Sequence, residues 1–147
     1  MGRKRYYDKF KFRIEIDGFV VAGFNKFGPL KESVGTVVYR DGLSKYPDKS
    51  PGNLDTEVIT AEQGATNNDE MYDWWKDLKD DIGGPSNQDW YKNISAVETD
   101  RNGREIQRWN VNSCFPKSFE YGDYDADAEE KIIRKMEIEV EGPIEKG

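Results

Sequence analysis

The sequence contains no histidine and a single cysteine, Cys114, among its 147 residues. The first absence removes Ser-His-Asp and Cys-His nucleophilic catalysis, histidine-ligated zinc and a histidine pH switch. The second removes an intrachain disulfide and any multi-thiolate metal site. No long apolar run is present, and mean hydropathy is −0.92, so no segment reads as a membrane-crossing helix. Basic residues are in the minority, with 22 Lys and Arg against 29 Asp and Glu and a net charge of −7. Such a chain repels phosphate overall, which argues against nucleic-acid binding built on backbone contacts. The opening Met1-Gly2-Arg3-Lys4-Arg5 is basic, yet the apolar stretch of a secretory leader does not follow it. Tyr6 breaks the myristoylation pattern. The expectation is a chain made and folded in a cytoplasm.

What is present is aromatic weight. The chain carries 4 Trp, 8 Tyr and 7 Phe, too many for a disordered polypeptide. Large rings with few aliphatics favour pleated sheet. One domain spanning residues 1–147 is expected, with no internal repeat. Residues 9–17 alternate, with Phe10, Phe12, Ile14 and Ile16 on one face and Lys9, Lys11, Arg13, Glu15 and Asp17 on the other. That period is a half-buried antiparallel strand. Asp17-Gly18 is a tight hairpin turn, and Phe19–Phe24 reads as the return strand. Val34–Tyr39 reads as a third strand. Residues 40–53 hold Pro47, Pro51 and Gly52 without periodicity, and read as a long exposed inter-strand loop. Leu54–Ala61 reads as a fourth strand.

A helix follows. Met71, Trp74, Trp75, Leu78 and Ile82 fall at helical spacing, with Asp73, Lys76, Asp77 and Asp80 pointing away. Thr66 and Asp69 have capping-box spacing, and Gly83-Gly84-Pro85 ends the run. Tyr91–Thr99 and Arg104–Phe115 read as a hairpin around Asn102-Gly103, closed by Pro116. In a last strand, Ile132–Glu141, Met136, Ile138 and Val140 face inward. About seven strands and one helix predict a mainly β chain, an antiparallel sandwich or barrel with one packed helix.

Few residues suggest chemistry. Asp123, Asp125, Asp127 and Glu129 recur every second residue, like the start of a calcium loop. Ala128 and Arg134 stand where that loop needs glycine and a bidentate Glu, so the segment reads as a solvated acidic turn. Cys114 beside Phe115 reads as a buried thiol. The basic, aromatic start, Arg3–Tyr7, reads as an N-terminal arm over residues 1–7. The glycines at Gly23 and Gly28 lack the strand-loop-helix setting of a phosphate cradle. No catalytic residue, metal site or cofactor is expected.

The order of these segments resembles the tail tube proteins of contractile phage tails and of related contractile injection particles. Phe12-Arg13-Ile14-Glu15-Ile16-Asp17-Gly18 with Ala22-Gly23-Phe24 is similar to that family's first hairpin. Glu32–Tyr39 followed by Arg40-Asp41-Gly42, and Pro51-Gly52-Asn53 before a strand, resemble its next segments. Gly64 with Asp69–Trp75, Asp100–Gly103 with Trp109–Pro116, and Ile132–Gly142 complete the match. Cys114-Phe115-Pro116 departs from it, because many relatives have tryptophan before the proline.

The resemblance implies hexameric rings that stack into a hollow tube. Its partners would be further copies of the chain, a contractile sheath, baseplate and spike proteins, and DNA or protein cargo in the lumen. Assembly in a bacterial cytoplasm, as part of a phage tail or injection particle, goes with it. The loop at 40–53 is then the expected contact with a neighbouring subunit or ring, with Tyr39, Arg40, Asp41, Lys45, Tyr46, Lys49 and Asn53 as candidate interface residues. A baseplate-proximal ring of the same fold and a monomeric β-barrel binding module are the alternatives, and a two-carboxylate glycosidase is a distant third.

Overall fold

A computed structural model describes residues 11–21, 23–43, 45–64, 69–82, 90–126 and 132–147. The expected N-terminal arm, Thr66 and Gly83-Gly84-Pro85 lie outside these. Ten strands and one helix follow one another: β1 (Lys11–Ile16), β2 (Phe19–Val21), β3 (Phe24–Gly28), β4 (Glu32–Tyr39), β5 (Asp48–Thr56), β6 (Ile59–Gly64), α1 (Glu70–Asp81), β7 (Lys92–Thr99), β8 (Glu105–Glu120), β9 (Ile133–Val140) and β10 (Ile144–Lys146). Every pairing is antiparallel. The mainly β class with one packed helix is therefore as the residue pattern predicts.

Eight strands form one sheet, in the order β2-β1-β7-β8-β9-β6-β3 with β10 added beside β8. Laid flat, seven strands would hold β2 and β3 about 29 Å apart. Only three covalent steps separate Val21 from Phe24, a reach of about 11 Å. The sheet must therefore curl until its two ends meet at that corner. The long strand β8 makes the curl possible. Its first part pairs with β7, from Glu105 opposite Thr99 to Cys114 opposite Lys92, and its last part pairs with β9, from Cys114 to Glu120. At the changeover Ser113 takes a φ of 54, and its N–H donates to the Asn93 side chain at 3.0 Å.

The turns follow the sequence. Asp17 and Gly18 have φ of 50 and 84, the pair of left-handed residues that a two-residue hairpin requires. The Asp100 carboxylate accepts the N–H groups of Asn102 and Arg104, both at 2.9 Å, across the turn that holds Gly103.

The concave side of the sheet and α1 enclose the core. Ile14, Ile59, Ile94, Val111, Cys114, Met136 and Ile138 come from the strands, and Met71 and Trp74 from the helix. The Trp74 indole N–H donates to the Trp90 carbonyl at 2.6 Å, and the Trp90 indole to Asp81 at 2.9 Å. This ties the segment before β7 to the end of α1. The Asp69 side chain makes no capping hydrogen bond.

Five expectations are corrected. Phe19–Phe24 is not one strand: β2 ends at Val21, Gly23 takes a φ of 88, and β3 pairs with β6 rather than β1. The loop at 40–53 is a loop only over 40–47, since Asp48–Asn53 belongs to β5. Leu54–Ala61 is interrupted at 57–58, where Glu57 N–H donates instead to the Lys31 carbonyl. Pro116 does not close its strand. It is buried opposite Ile138, and a register shift before Ser118 carries β8 past the residue that lacks a donor. Lastly, the described residues hold ten strands rather than about seven, because Phe19–Phe24 and Leu54–Ala61 each divide between two strands and short β10 leaves little periodicity.

Candidate assembly surface

The molecule has two surfaces of opposite character. The first is the convex face of β1, β7 and β8. Residues Arg13, Val97 and Arg108 lie in register across it. Arg108 donates to both Glu15 oxygens, at 3.1 and 3.2 Å, and to Glu105 at 2.8 Å, while Arg13 donates to Glu15 at 2.9 Å. Hydrogen bonds from Arg108, then Arg13, hold the Glu15 carboxyl below the usual carboxylate range. Those same neighbours, Arg108 first, lower Glu105. Val97 is fully buried between the two arginines. This face satisfies its own charges.

At one end of the barrel a polar knot joins three elements. Asn93 N–H donates to the Asp17 carboxylate at 2.9 Å, Asp17 N–H donates to the Asn93 carbonyl at 2.8 Å, and the Asn93 amide holds Ser113. Nearby, a hydrogen bond to Glu141, together with burial, raises the Tyr91 hydroxyl. Burial pushes the Cys114 thiol up to about 12, so it has no nucleophilic character at neutral pH. Among the described residues no group of three His, Cys, Asp or Glu is placed to hold a metal ion. None of the described helices is long and apolar enough to cross a membrane.

The second surface is the hairpin of β4 and β5. These strands pair only with each other, and every residue of β4 is exposed. The hairpin nonetheless grows out of the barrel. The pair Gly28↔Thr60 ends the β3–β6 ladder, and Glu32↔Thr56 begins the next one, four residues further along each strand. The offset is equal on both strands, so the two ladders share one register across an unpaired joint. At the joint, Lys31 and Glu57 share a backbone hydrogen bond of 3.0 Å and an ion pair of 3.4 Å. Beyond it the eight residues of β4 extend about 26 Å.

Midway the ribbon carries a bulge. Between the pairs Val34↔Leu54 and Thr36↔Pro51, Gly35 faces both Gly52 and Asn53. A Cβ on Gly52 would stand 3.0 Å from the Gly35 carbonyl oxygen, so glycine permits the close approach. One face of the ribbon presents Glu32, Val34, Thr36, Val38, Lys49, Pro51, Leu54 and Thr56, so its apolar residues are bordered by a charge at the base and another toward the tip. The other presents Ser33, Val37, Tyr39, Ser50, Asp48 and Asp55. Val34, Val38 and Leu54 keep 50, 56 and 59% of their surface exposed. A two-stranded ribbon with an apolar face in water is not stable by itself.

The structure brings the sequence-predicted residues to this arm. Tyr39 ends β4, Arg40, Asp41, Lys45 and Tyr46 lie in the tip loop, and Lys49 is in β5. All are exposed. Asn53 is exposed too, but sits at the bulge, away from the tip. The apolar face formed by Val34, Val38 and Leu54 escaped the sequence reading. Its signal was present: residues 33–39 carry no charge, where a half-buried strand would alternate.

The model of the T4-like virus tail tube protein gp19 family matches residues 8–143. The fold also matches a chain in the cryo-EM structure of an extracellular contractile injection system, the PVC sheath/tube terminator in the extended state. The TM-score is 0.82 at 21% identity, over 99% of both chains. A chain of the anti-feeding prophage tube terminating cap matches with a TM-score of 0.81 at 23% identity, over 100% of this chain and 95% of that one. A chain of the PVC sheath-tube complex matches at 0.77 and 24%, over 93 and 88%. No curated protein sequence matches.

Proposed function

Because the chain belongs to the T4-like virus tail tube protein family, we propose that it is a structural subunit of the inner tube of a contractile tail or contractile injection particle. Copies close into hexameric rings, and the rings stack into a hollow conduit for DNA or protein cargo. A sheath surrounds the tube and a baseplate seats it. The subunit performs no turnover and needs no cofactor. It assembles in the bacterial cytoplasm and works within the particle.

The observation that carries this reading is the arm. A solitary molecule leaves both faces of β4–β5 in water, with an apolar set on one of them. Packing against a neighbour removes that cost. The convex face of β1, β7 and β8, by contrast, has its charges already paired and would lose little by staying wet. The net charge of −7 suits a conduit for a polyanion, which slides without binding.

Electron microscopy of the purified chain tests the proposal. Sixfold annuli and stacked tubes are expected, and they should persist in moderate salt, since apolar contact and strand pairing are weakly screened. Single rings that never stack would favour the baseplate-proximal role, one of the settings in which this fold occurs. A monodisperse monomer at high concentration would end the tube reading.

A further inference from the structure

The turn between β7 and β8 carries a chemically reactive pair. Across the sequence, Asn102 is the one asparagine followed by glycine. The side-chain amide of an asparagine is open to attack by the backbone nitrogen of the next residue, and a glycine leaves that nitrogen unshielded because it has no Cβ. Residues 101–104 are all exposed, and a Cβ on Gly103 would meet nothing within 4 Å. The turn holds Asn102 by its backbone N–H and leaves its side-chain amide to water. Asn93 and Asn112, by contrast, have their side chains bonded to Ser113 and Pro143, and bulkier residues follow them.

The same turn restrains the pair it exposes. Gly103 N–H donates to the Asp100 carbonyl at 3.1 Å, and Asp100 N–H donates to the Arg104 carbonyl at 3.0 Å. The Asp100 carboxylate accepts the N–H groups of Asn102 and Arg104, both at 2.9 Å. The attacking nitrogen therefore has its proton engaged. Swinging it toward Asn102 Cγ turns the peptide out of these bonds. A carboxylate beside the turn also opposes ionisation of a backbone amide.

We propose that Asn102 is a site of spontaneous hydrolytic modification, with water as co-reactant, and that Asp100 sets its rate by holding the turn shut. Gly103 N loses its proton to solvent and bonds to Asn102 Cγ. The Cγ–Nδ2 bond breaks and ammonia leaves with the proton returned, which closes a five-membered imide. Water then opens the imide at either carbonyl, giving aspartate or isoaspartate at residue 102. The net change is one water in and one ammonia out. Either product places a second carboxylate beside that of Asp100, where like charges repel. Isoaspartate also lengthens the backbone by one carbon, so the bonds that tie Asp100 to Gly103 and Arg104 no longer fit. The modification thus loosens the end of the β7–β8 hairpin and marks the age of a molecule.

Incubating the full chain in mildly alkaline buffer made with heavy-oxygen water tests both claims. Peptide mass spectrometry should find heavy oxygen at residue 102 ahead of every other asparagine, with aspartate and isoaspartate as separable products. Label that appears first at another asparagine, or never at residue 102, overturns the site. The same chain in urea gives the unrestrained rate, and the folded chain should react at least about tenfold slower, the contribution expected of the hydrogen bonds that close the turn. Asp100→Ala should recover most of that difference while melting close to the wild type. Asp100→Asn keeps an oxygen acceptor without the charge and should fall between the two; it carries the same comparison if Asp100→Ala does not fold. Equal rates in urea and in the folded chain, or wild-type rates in both Asp100 variants, overturn the role of Asp100. Asn102→Gln should melt like the wild type and take up no label at residue 102 over the same period; label there would mean that another reaction is at work and defeats the proposal.

Discussion

The barrel and the arm share one ribbon yet keep opposite accounts with water. In the barrel half, β6 lies between β3 and β9, and Ile59 and Ala61 are fully buried. In the arm half, the same two segments of chain have no neighbours beyond each other, and Val34, Val38 and Leu54 stand in solvent. Both halves carry apolar residues, although the arm also holds Glu32, Asp48, Lys49 and Asp55. What differs is whether a third element covers them. Apolar residues in the barrel therefore serve stability of the single chain, while the exposed ones in the arm add little to it.

Substitutions can test that division, and the largest effect is expected in the barrel. Trp74 is buried at the heart of the core with its indole bonded to Trp90, so Trp74→Ala should cost about 3–5 kcal/mol in chemical denaturation. Next is Gly142→Ala. Its Cβ would come within 2.6 Å of the Asn112 carbonyl oxygen, a backbone clash between the β9–β10 turn and β8 worth about 1–3 kcal/mol in the same assay.

A smaller effect, dependent on pH, is expected from Arg108→Ala, which removes the principal partner of Glu15 and Glu105. Both carboxyls titrate lower when folded than their ordinary 4.5. Their contribution is thus present above that value and is lost as pH falls through the folded pKa. At neutral pH the variant should be less stable than the wild type, chiefly through the half-buried Glu15 pair, and its stability curve should approach the wild type's in acid. Equal deficits at pH 7 and pH 3 would show that the arginine acts by packing alone.

Smallest of all is the expected effect of Val34→Asp with Leu54→Asp in the arm. The two side chains face each other across the ladder in solvent. The melting curve of the unassembled chain should move by less than about 0.5 kcal/mol, while sedimentation should show loss of assembly. A large loss of stability would mean that the arm packs on its own barrel, and would erase the contrast.

Much of the barrel was legible because its residues obey one period at a time. Met136, Ile138 and Val140 alternate cleanly and are buried, and Trp74 and Leu78 fall on one helical face and are buried too. The turns at Asp17-Gly18 and Asn102-Gly103 were legible from left-handed backbone chemistry. Illegible were the places where period and punctuation disagree. Pro116 ordinarily marks an end, but a bulge accommodates it inside β8. Pro51 and Gly52 likewise suggested a loop, because a proline on an open edge and a glycine at a bulge use the same letters as a turn. Tyr39 at the end of β4, and Arg40 and Tyr46 in the tip loop, are exposed as a loop reading of that segment implies. The apolar face behind them was missed because exposure on both sides is a tertiary fact, invisible to a pattern that assumes one side is covered.

The shared register of barrel and arm has a mechanical consequence. A pull on the tip reaches the barrel through two strands, β3 at the end of the sheet and β6, which is flanked on both sides. Hydrogen bonds perpendicular to the load resist together in shear, instead of opening one after another like a zipper. A subunit gripped by its arm would therefore carry thrust as a fibre carries tension, with the load spread over the β6 ladders to β3 and β9.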